Sequence, residues 1–558
     1  MGRLAVLGVA VLLVPFGGTG GPRPGGKVRL VLRDRVLHRI DDKLFGHFLE
    51  RPSWGETGVE GALVPGTREL QPGVRDLLRR MRIPILRFPG GTDVDYIDWR
   101  DMVDHVPGRA GPRPVTVGHQ GHRVTNNFGY DEFLRLCEDL GCEPLLVANL
   151  GDALLRRKPV REAALHAASL LAYCSAPVGA ALPAGMEDWP RVRAQNGREK
   201  PWRVRFFQIG NETWFFPDRM RKAGEKDVEG FYLECLSAYV EAVRAVDPSV
   251  RIVADAVSPK IAGLIRQRLG GRVHYLVEHH YMPWAIRSVQ KDGRDYPVEK
   301  LTDEEVWNAW VAVPNSVNER GESVIGGLSL AEARQGGFKA AITEWNWNGW
   351  WALPPGNPRP LSSSLAKGVG AAGYLHAFLR SGDAIEIACQ SMTVGHSWGI
   401  TCIHVDREAR TEPYYMPTGQ VTMLYANHHG DEFLEVSAEG IPTREQPYRM
   451  GGIAPRRKVA VLDVVSTRGP GAVYVHAINR GFREPQDVSV DLSAFPDLGE
   501  RAVLHVLEGR LNDEPREGEP RQIGEIRDRE IRFGGNVLEV TLPPRSVSVL
   551  EIRRRRGA

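Results

Sequence analysis

The chain has 558 residues, of which 42% are hydrophobic and 25% charged, and its 72 basic and 69 acidic side chains leave a formal net charge of +3. This length predicts one large domain and a smaller second one, and the composition is that of a globular protein. The near balance of charge argues against a nucleic-acid-binding protein, which usually carries a basic domain or stripe.

The N-terminal segment differs from the rest of the chain. Arg3 precedes an apolar run over residues 4–16, and small residues follow that run. This order is typical of a secretory signal peptide, and the run is shorter than the roughly 20 residues of a membrane span. We therefore expect a signal peptide over residues 1–21 and a secreted or periplasmic protein with no membrane span after cleavage. An uncleaved anchor is the alternative.

Between residues 43 and 402, short apolar runs alternate with longer amphipathic segments. Apolar strands separated by helices indicate a parallel sheet that is buried on both faces, and eight such units are typical of an α/β fold, the (β/α)8 TIM barrel. The catalytic groups of such a barrel lie at the carboxyl ends of its strands. The predicted strands are residues 44–49, 83–88, 144–149, 204–209, 251–254, 273–279, 339–344 and 384–390.

After the barrel, short alternating runs separated by turn signals predict a C-terminal antiparallel β-sandwich over residues 403–553. Residues 22–42, ahead of the barrel, contain a strand-like run that is expected to join this sandwich. Residues 554–558 form a basic tail. Most of the six cysteines lie in apolar segments, which favours buried free thiols, with one disulfide as the alternative.

Two of the predicted strands lead into a glutamate. Glu212 follows the fourth strand and Glu344 ends the seventh, and aromatic residues come directly after each. Two carboxyls on different strands of one barrel predict glycoside hydrolysis, in which one carboxyl protonates the leaving group and the other attacks the sugar. The alternative is a pair of exposed loop carboxylates without a catalytic role.

Several motifs, in this order along the chain, resemble those of glycoside hydrolase family 51. They are LFGHFLE at residues 44–50, LRFPGG at 86–91, NFGYDEF at 127–133, ANLG at 148–151, GNE at 210–212 and TEWN at 343–346. Most members of that family are retaining α-L-arabinofuranosidases with a TIM barrel and a C-terminal β-sandwich. The resemblance implies an exo-acting enzyme that releases terminal arabinofuranose from arabinan or arabinoxylan, with Glu212 as the acid/base and Glu344 as the nucleophile.

The same resemblance implies a set of sugar contacts. Glu50 and Gln390 match family positions that bind the furanose hydroxyls, although Gln390 has a structural role at its strand end as the alternative. Asn211 is expected to contact the sugar 2-hydroxyl. The sixth strand resembles a motif in which His279 and Tyr281 face the site, and alternate strand residues do share a face.

Other side chains are candidates from their chemistry. Arg87 ends the second strand, where its guanidinium can hold Glu344 ionised, with a structural salt bridge as the alternative. Thr92 stands where the family usually presents Asn or Cys to the sugar, which puts strict arabinose specificity in doubt. Tryptophans are candidate sugar platforms because an aromatic face packs against a sugar ring. They are Trp99, Trp345, Trp347, Trp350 and Trp351.

The expected function implies no organic cofactor and no catalytic metal. A metal site at the paired histidines His279 and His280 is the alternative, although the sequence has no carboxylate or Cys at ligand spacing from them. The expected partner is a plant-type polysaccharide or oligosaccharide with arabinofuranosyl side chains, and a homo-oligomer is compatible with the family. The alternative functions are a related clan A β-xylosidase or endo-glucanase, and a non-catalytic carbohydrate-binding protein on a hydrolase scaffold.

Overall fold

A computed structural model of the protein describes residues 26–256, 258–312, 314, 327–357, 359–515 and 522–555. The predicted signal peptide over residues 1–21 lies outside the described residues, as do the last three residues of the predicted basic tail. Within the described ranges, no helix combines the length and apolar character that crossing a membrane requires.

Eight parallel strands close into a barrel, and each overlaps one of the predicted strands. Neighbours in the barrel follow chain order, and the eighth strand pairs with the first through Cys389 and Gly46. Apolar side chains from all eight strands fill the interior. The strands are Gly46–Phe48, Ile85–Phe88, Glu143–Ala148, Phe206–Ile209, Arg251–Asp255, Tyr275–Tyr281, Lys339–Asn346 and Ile385–Gln390.

Helices surround the barrel, and local signals fix several of their ends. The Ser258 and Ser363 side chains accept from backbone N–H groups in the first turns of the helices that follow them, and Gly141 ends another helix in the left-handed region. The helices are Pro72–Arg80, Tyr130–Leu140, Gly151–Leu154, Val160–Ser175, Trp189–Gln195, Pro217–Lys222, Val228–Val246, Pro259–Leu269, Asp303–Trp310, Gly327–Arg334, Ser364–Arg380 and Pro417–Asn427.

Shorter elements occupy the connections. The 3₁₀ helices are Asp42–Phe45, Gly58–Ala62, Thr92–Tyr96, Trp99–Met102, Thr213–Phe215 and Val298–Lys300. The short strands are Thr116–Val117, Arg123–Val124, Ala285–Ile286, Val289–Lys291, Arg294–Asp295, Trp350–Trp351, Val394–Gly395, Ile403–His404, Tyr414–Tyr415, Thr443–Gln446, Tyr448–Met450 and Arg456–Ala460. Many of these lie in the long loops after the barrel strands, which is where a barrel carries its functional groups.

A nine-stranded sheet forms the C-terminal domain. Its strands, in order across the sheet, are Glu525–Arg532, Leu498–Glu508, Ser546–Arg554, Ala472–Asn479, Leu462–Arg468, Glu432–Glu439, Val28–Arg39, Gln486–Asp491 and Val537–Leu542. All neighbours are antiparallel except Val28–Arg39 and Gln486–Asp491. The N-terminal strand therefore joins this domain, as predicted.

One apolar core holds the C-terminal domain together. Leu504 and Leu538 belong to the same buried cluster although their strands lie towards opposite ends of the sheet, so the sheet folds over on itself in the manner of a sandwich. After the barrel, the first strand of this sheet begins at Glu432. A second cluster joins it to the barrel through the buried helix Ser364–Arg380.

All six cysteines are free thiols, and only Cys142 is not fully buried. The prediction of free thiols is confirmed.

Candidate active site

The two glutamates predicted to be catalytic meet at the open face of the barrel. Glu212 follows the fourth strand and adopts a left-handed backbone with a φ of +50°, which is uncommon for a residue with a side chain and is typical of functional sites. One carboxylate oxygen of Glu212, one of Glu344 and one ring nitrogen of His279 all lie within 4.8 Å of one another. This spacing is close to the roughly 5–5.5 Å between the carboxyls of retaining glycosidases and too short for an inverting pair.

The carboxylate of Glu344 is surrounded by donors. Arg87 donates from Nη1 to its Oε1 at 2.9 Å, and the Tyr281 hydroxyl donates to its Oε2 at 2.7 Å. Burial alone would raise the pKa of Glu344, but the charges of His279 and Arg87 and the hydrogen bonds from Tyr281 and Arg87 outweigh it and lower the pKa below its ordinary value. Glu344 is therefore held ionised, as a nucleophile requires.

Arg87 is itself fixed by three neighbours. It is fully buried, and besides Glu344 it donates to Gln208 Oε1 at 2.9 Å and to Asn211 Oδ1 at 2.6 Å. The predicted contact between Arg87 and Glu344 is present. Because the guanidinium reaches strands four and seven together, it ties the two glutamate-bearing strands to one geometry.

Glu212 is the more open of the two glutamates. Its side chain is 22% exposed against 8% for Glu344. Its Oε1 lies 3.0 Å from His279 Nδ1, and the other ring nitrogen of His279 contacts the Thr343 hydroxyl at 2.9 Å. Burial would lower the pKa of His279, but Glu344 and Glu212 outweigh it and raise that pKa. His279 thus links both carboxylates.

Glu50 lies beside this pair, and its pKa is shifted in the opposite direction from that of Glu344. It is buried, and burial, with the charges of Glu344 and Asp93, raises its pKa well above the ordinary value. A neutral carboxyl can donate a hydrogen bond to a sugar hydroxyl. Gly91 makes room for it: a Cβ on Gly91 would lie 2.0 Å from Glu50 Oε1, and its φ of +66° favours glycine. Thr92 follows directly and is half-buried.

Asn211 is oriented so that its amide is free to donate. Its Oδ1 accepts from Arg87, while its buried Nδ2 has no hydrogen-bond partner among the described residues. Its backbone N–H donates to Asp95 Oδ2 at 3.2 Å, and Asp95 Oδ1 also accepts from two backbone N–H groups in the loop after strand three. Burial raises the pKa of Asp95 to about 7. Asp95 was not among the residues predicted from the sequence.

The structure corrects two of the tryptophan predictions. Trp99 is 5% exposed, packs edge-on against Trp189 and donates to the His166 carbonyl at 3.0 Å, so it belongs to the core outside the barrel. Trp347 is fully buried against Trp310, whose carbonyl accepts from its Nε1 at 3.1 Å. Neither ring can reach a sugar. Trp345 and Trp351 are buried as well.

The sugar contact of Gln390 stays a prediction, and the contacts that the structure shows for this residue are with protein groups. Its side chain is fully buried, and its amide N–H donates to the Thr418 carbonyl at 3.4 Å. Its Oε1 accepts from the Thr422 hydroxyl and from the thiol of Cys402. These bonds fasten the end of strand eight to the helix Pro417–Asn427, which is the structural alternative stated for this residue.

A closed barrel with paired glutamates at the ends of strands four and seven defines a glycoside hydrolase. The family model described as "Alpha-L-arabinofuranosidase 1 domain" matches residues 77–296, and the one described as "Alpha-L-arabinofuranosidase C-terminal domain" matches residues 344–546. The chain belongs to glycoside hydrolase family 51.

Individual relatives agree with this family over the length of the chain. An "Intracellular exo-alpha-L-arabinofuranosidase" of Bacteroides ovatus is 22% identical over 93% of this chain and 94% of its own. The structure of a GH51 arabinofuranosidase from Xanthomonas axonopodis pv. citri matches with a TM-score of 0.70 at 21% identity, covering 94% of this chain and 99% of that one. A thermostable GH51 α-L-arabinofuranosidase from Thermotoga petrophila gives 0.68 at 21% identity, over 94% and 100%.

The comparisons contradict the predicted location. The Bacteroides ovatus relative, which matches over nearly the whole chain, is named an intracellular enzyme. The expectation of a secreted or periplasmic protein, which rested on the apolar run over residues 4–16, is therefore wrong.

Proposed function

We propose that this protein is a retaining exo-α-L-arabinofuranosidase that releases terminal arabinofuranose from arabinan or arabinoxylan side chains. The close spacing of the Glu212 and Glu344 carboxylates, in two different environments, carries the proposal. The two family models and the name of the Bacteroides ovatus relative support arabinofuranose as the sugar. The predicted homo-oligomer remains a prediction.

The first step transfers the sugar to the enzyme. Glu344, held ionised by Arg87 and Tyr281, attacks the anomeric carbon and forms a glycosyl ester. Glu212 gives its proton to the departing oxygen, so the leaving group departs as an alcohol. In the second step Glu212 takes a proton from water, and the water oxygen displaces Glu344 from the anomeric carbon with overall retention.

The surrounding groups hold the sugar during both steps. The free amide N–H of Asn211 is directed at the 2-hydroxyl, where a hydrogen bond strengthens in the transition state. The Glu50 carboxyl, whose pKa burial raises, donates to another hydroxyl, and Gly91 leaves the room that this carboxyl occupies. His279 lies between the two glutamates. Its ring offsets the negative charge that Glu212 gains when Glu212 gives up its proton.

A panel of nitrophenyl glycosides tests this proposal. The purified protein should hydrolyse the α-L-arabinofuranoside, and Glu212→Ala should slow the hydrolysis of substrates with poor leaving groups by roughly 10²- to 10⁴-fold. Turnover of xylosides or glucans alone would replace the proposal with a clan A β-xylosidase or endo-glucanase. Binding of sugars with no release of reducing ends would support a non-catalytic carbohydrate-binding protein instead.

A further inference from the structure

Three tryptophans form a continuous aromatic surface beside the catalytic pair, and we call Trp284, Trp350 and Trp398 the tryptophan wall. They come from the loops after strands six, seven and eight. The Trp284 and Trp350 rings meet edge-on with centroids 5.2 Å apart, and the Trp350 and Trp398 rings meet in the same way, also at 5.2 Å. The three rings therefore make one surface from three separate loops.

The wall begins at the nucleophile. The ring of Tyr281, whose hydroxyl donates to Glu344, lies 5.4 Å from the ring of Trp284. Trp284 is 49% exposed, and the rings of Trp350 and Trp398 are half-buried. The wall therefore begins next to the reacting centre, at its most exposed ring.

Backbone pairing holds Trp284 and Trp350 together. The short strands Ala285–Ile286 and Trp350–Trp351 pair in parallel, and the Gly349 N–H donates to the Pro283 carbonyl at 2.8 Å. If these exposed rings stood on a mobile loop, ordering that loop would cost free energy and weaken the binding of a ligand. Here the loops after strands six and seven are joined before any ligand binds.

Glu56 fixes the third ring. Its fully buried carboxylate accepts from the backbone N–H groups of His396, Ser397 and Trp398, at 2.7, 2.8 and 2.6 Å. A carboxylate from the loop after strand one thus anchors the loop after strand eight. Burying this charge costs free energy, and the position it secures is that of Trp398.

We propose that the tryptophan wall binds the sugar residues next to the one that Glu344 attacks. In an exo-acting enzyme all of these lie on the leaving-group side of the scissile bond, so the wall makes a carbohydrate chain, rather than a small arabinoside, the preferred substrate. Aromatic faces pack against the apolar faces of sugar rings, and a preformed set of rings does so at low entropic cost. This inference rests on the proposed function, because it takes arabinofuranose as the sugar that Glu344 attacks.

A rival platform stands on the opposite loop. Phe215 follows the acid/base Glu212 and is 62% exposed, more than Trp284. It is a single exposed ring whose close aromatic contact is with the half-buried neighbour Trp214, at 6.1 Å. Because the wall offers three linked rings, we expect it to contribute more to the binding of a chain.

Two substrates separate the wall from the catalytic centre. Methyl α-L-arabinofuranoside has no sugar on the leaving-group side, whereas arabinotriose has a chain there. We expect Trp284→Ala and Trp350→Ala each to lower kcat/KM on arabinotriose by about 3- to 10-fold more than on the methyl glycoside, which corresponds to the loss of one stacking contact. Trp284→Phe should restore most of the activity on arabinotriose.

Phe215→Ala is the matched control, since it removes a ring that is more exposed than Trp284 from the same face of the barrel. Loss on arabinotriose in Phe215→Ala but not in Trp284→Ala would overturn the proposal, and so would equal losses on both substrates in Trp284→Ala. If the wild-type protein hydrolysed neither arabinoside, the proposed function would fail and the wall proposal with it. Melting temperatures of all variants show whether a loss reflects misfolding.

Discussion

The Tyr281 hydroxyl provides a test of how the nucleophile is kept ionised. Tyr281→Phe removes one oxygen and leaves the ring and its contact with Trp284. Glu344 Oε2 would then keep only the weaker contact with His279 Nδ1 at 3.6 Å, while Oε1 keeps Arg87. A hydrogen bond to a charged group contributes about 1.5–3 kcal/mol, and one pKa unit corresponds to about 1.36 kcal/mol. Losing the Tyr281 hydroxyl should therefore raise the pKa of Glu344.

The sign of the effect on activity follows from the mechanism. Glu344 must be ionised to attack, so a higher pKa moves the acid limb of kcat/KM to higher pH, and activity is lost first on the acid side. The same hydroxyl stabilises Glu344 as it leaves in the second step, so kcat should fall by about tenfold or more when that step limits the rate. A pH–rate profile on an aryl arabinofuranoside measures both.

Tyr239→Phe is the matched control for this substitution. Tyr239 is a buried tyrosine of the helix Val228–Val246, and its hydroxyl has no hydrogen-bond partner within the described part of the chain. Removing the Tyr239 hydroxyl should change neither the acid limb nor the alkaline limb of the pH–rate profile. If Tyr281→Phe likewise left the acid limb and kcat unmoved, the account of the ionised nucleophile would be refuted.

Three further substitutions test other parts of the site. Gly91→Ala should lower kcat/KM by roughly 10²-fold in a protein that still folds, because the new Cβ displaces the Glu50 carboxyl; unchanged kinetics would contradict this placement. Glu50→Gln should leave the acid limb of the pH–rate profile in place, because the amide matches a neutral carboxyl; a shift would show that Glu50 is ionised. Trp347→Ala should lower the free energy of unfolding by about 3–5 kcal/mol in urea denaturation, and an unchanged stability would contradict its place in the core.

The barrel could be predicted because its signal is local and repeated. Each strand is an apolar run bounded by a change of composition, and all eight observed strands overlap the predicted runs. Because Glu212, Glu344 and Arg87 stand at or just after the ends of predicted strands, their location at the open face of the barrel could be predicted too. Strand boundaries carry this information because parallel strands place their carboxyl ends on one face.

The sequence does not show which tryptophans are buried in the core and which line the site. Trp347 and Trp350 stand three residues apart after the same strand, yet one is fully buried and the other lines the wall. Their orientation depends on the turn at Gly349, whose φ is +62°, and on pairing with the loop after strand six. Neither the turn nor the strand pairing can be predicted from a run of aromatic residues in the sequence. Trp284, across that pairing, was not singled out at all.

The supporting carboxylates were missed for a similar reason. Asp95 accepts from the backbone of the loops after strands three and four, and Glu56 accepts from the loop after strand eight. Both contacts join segments that are far apart in the chain. An acidic residue in a loop is ordinarily solvated, so its burial follows only once the barrel brings the loops together.

The configuration of azide products tests the roles of the two glutamates most directly. With Glu344→Gly and an activated aryl α-L-arabinofuranoside, azide should occupy the place of the missing carboxylate and give the β-arabinofuranosyl azide. With Glu212→Gly, azide should attack the ester on Glu344 and give the α-arabinofuranosyl azide. Proton NMR of the two products distinguishes them. An α-azide from Glu344→Gly, or rescue of neither variant, would contradict the account of a retaining pair formed by Glu212 and Glu344.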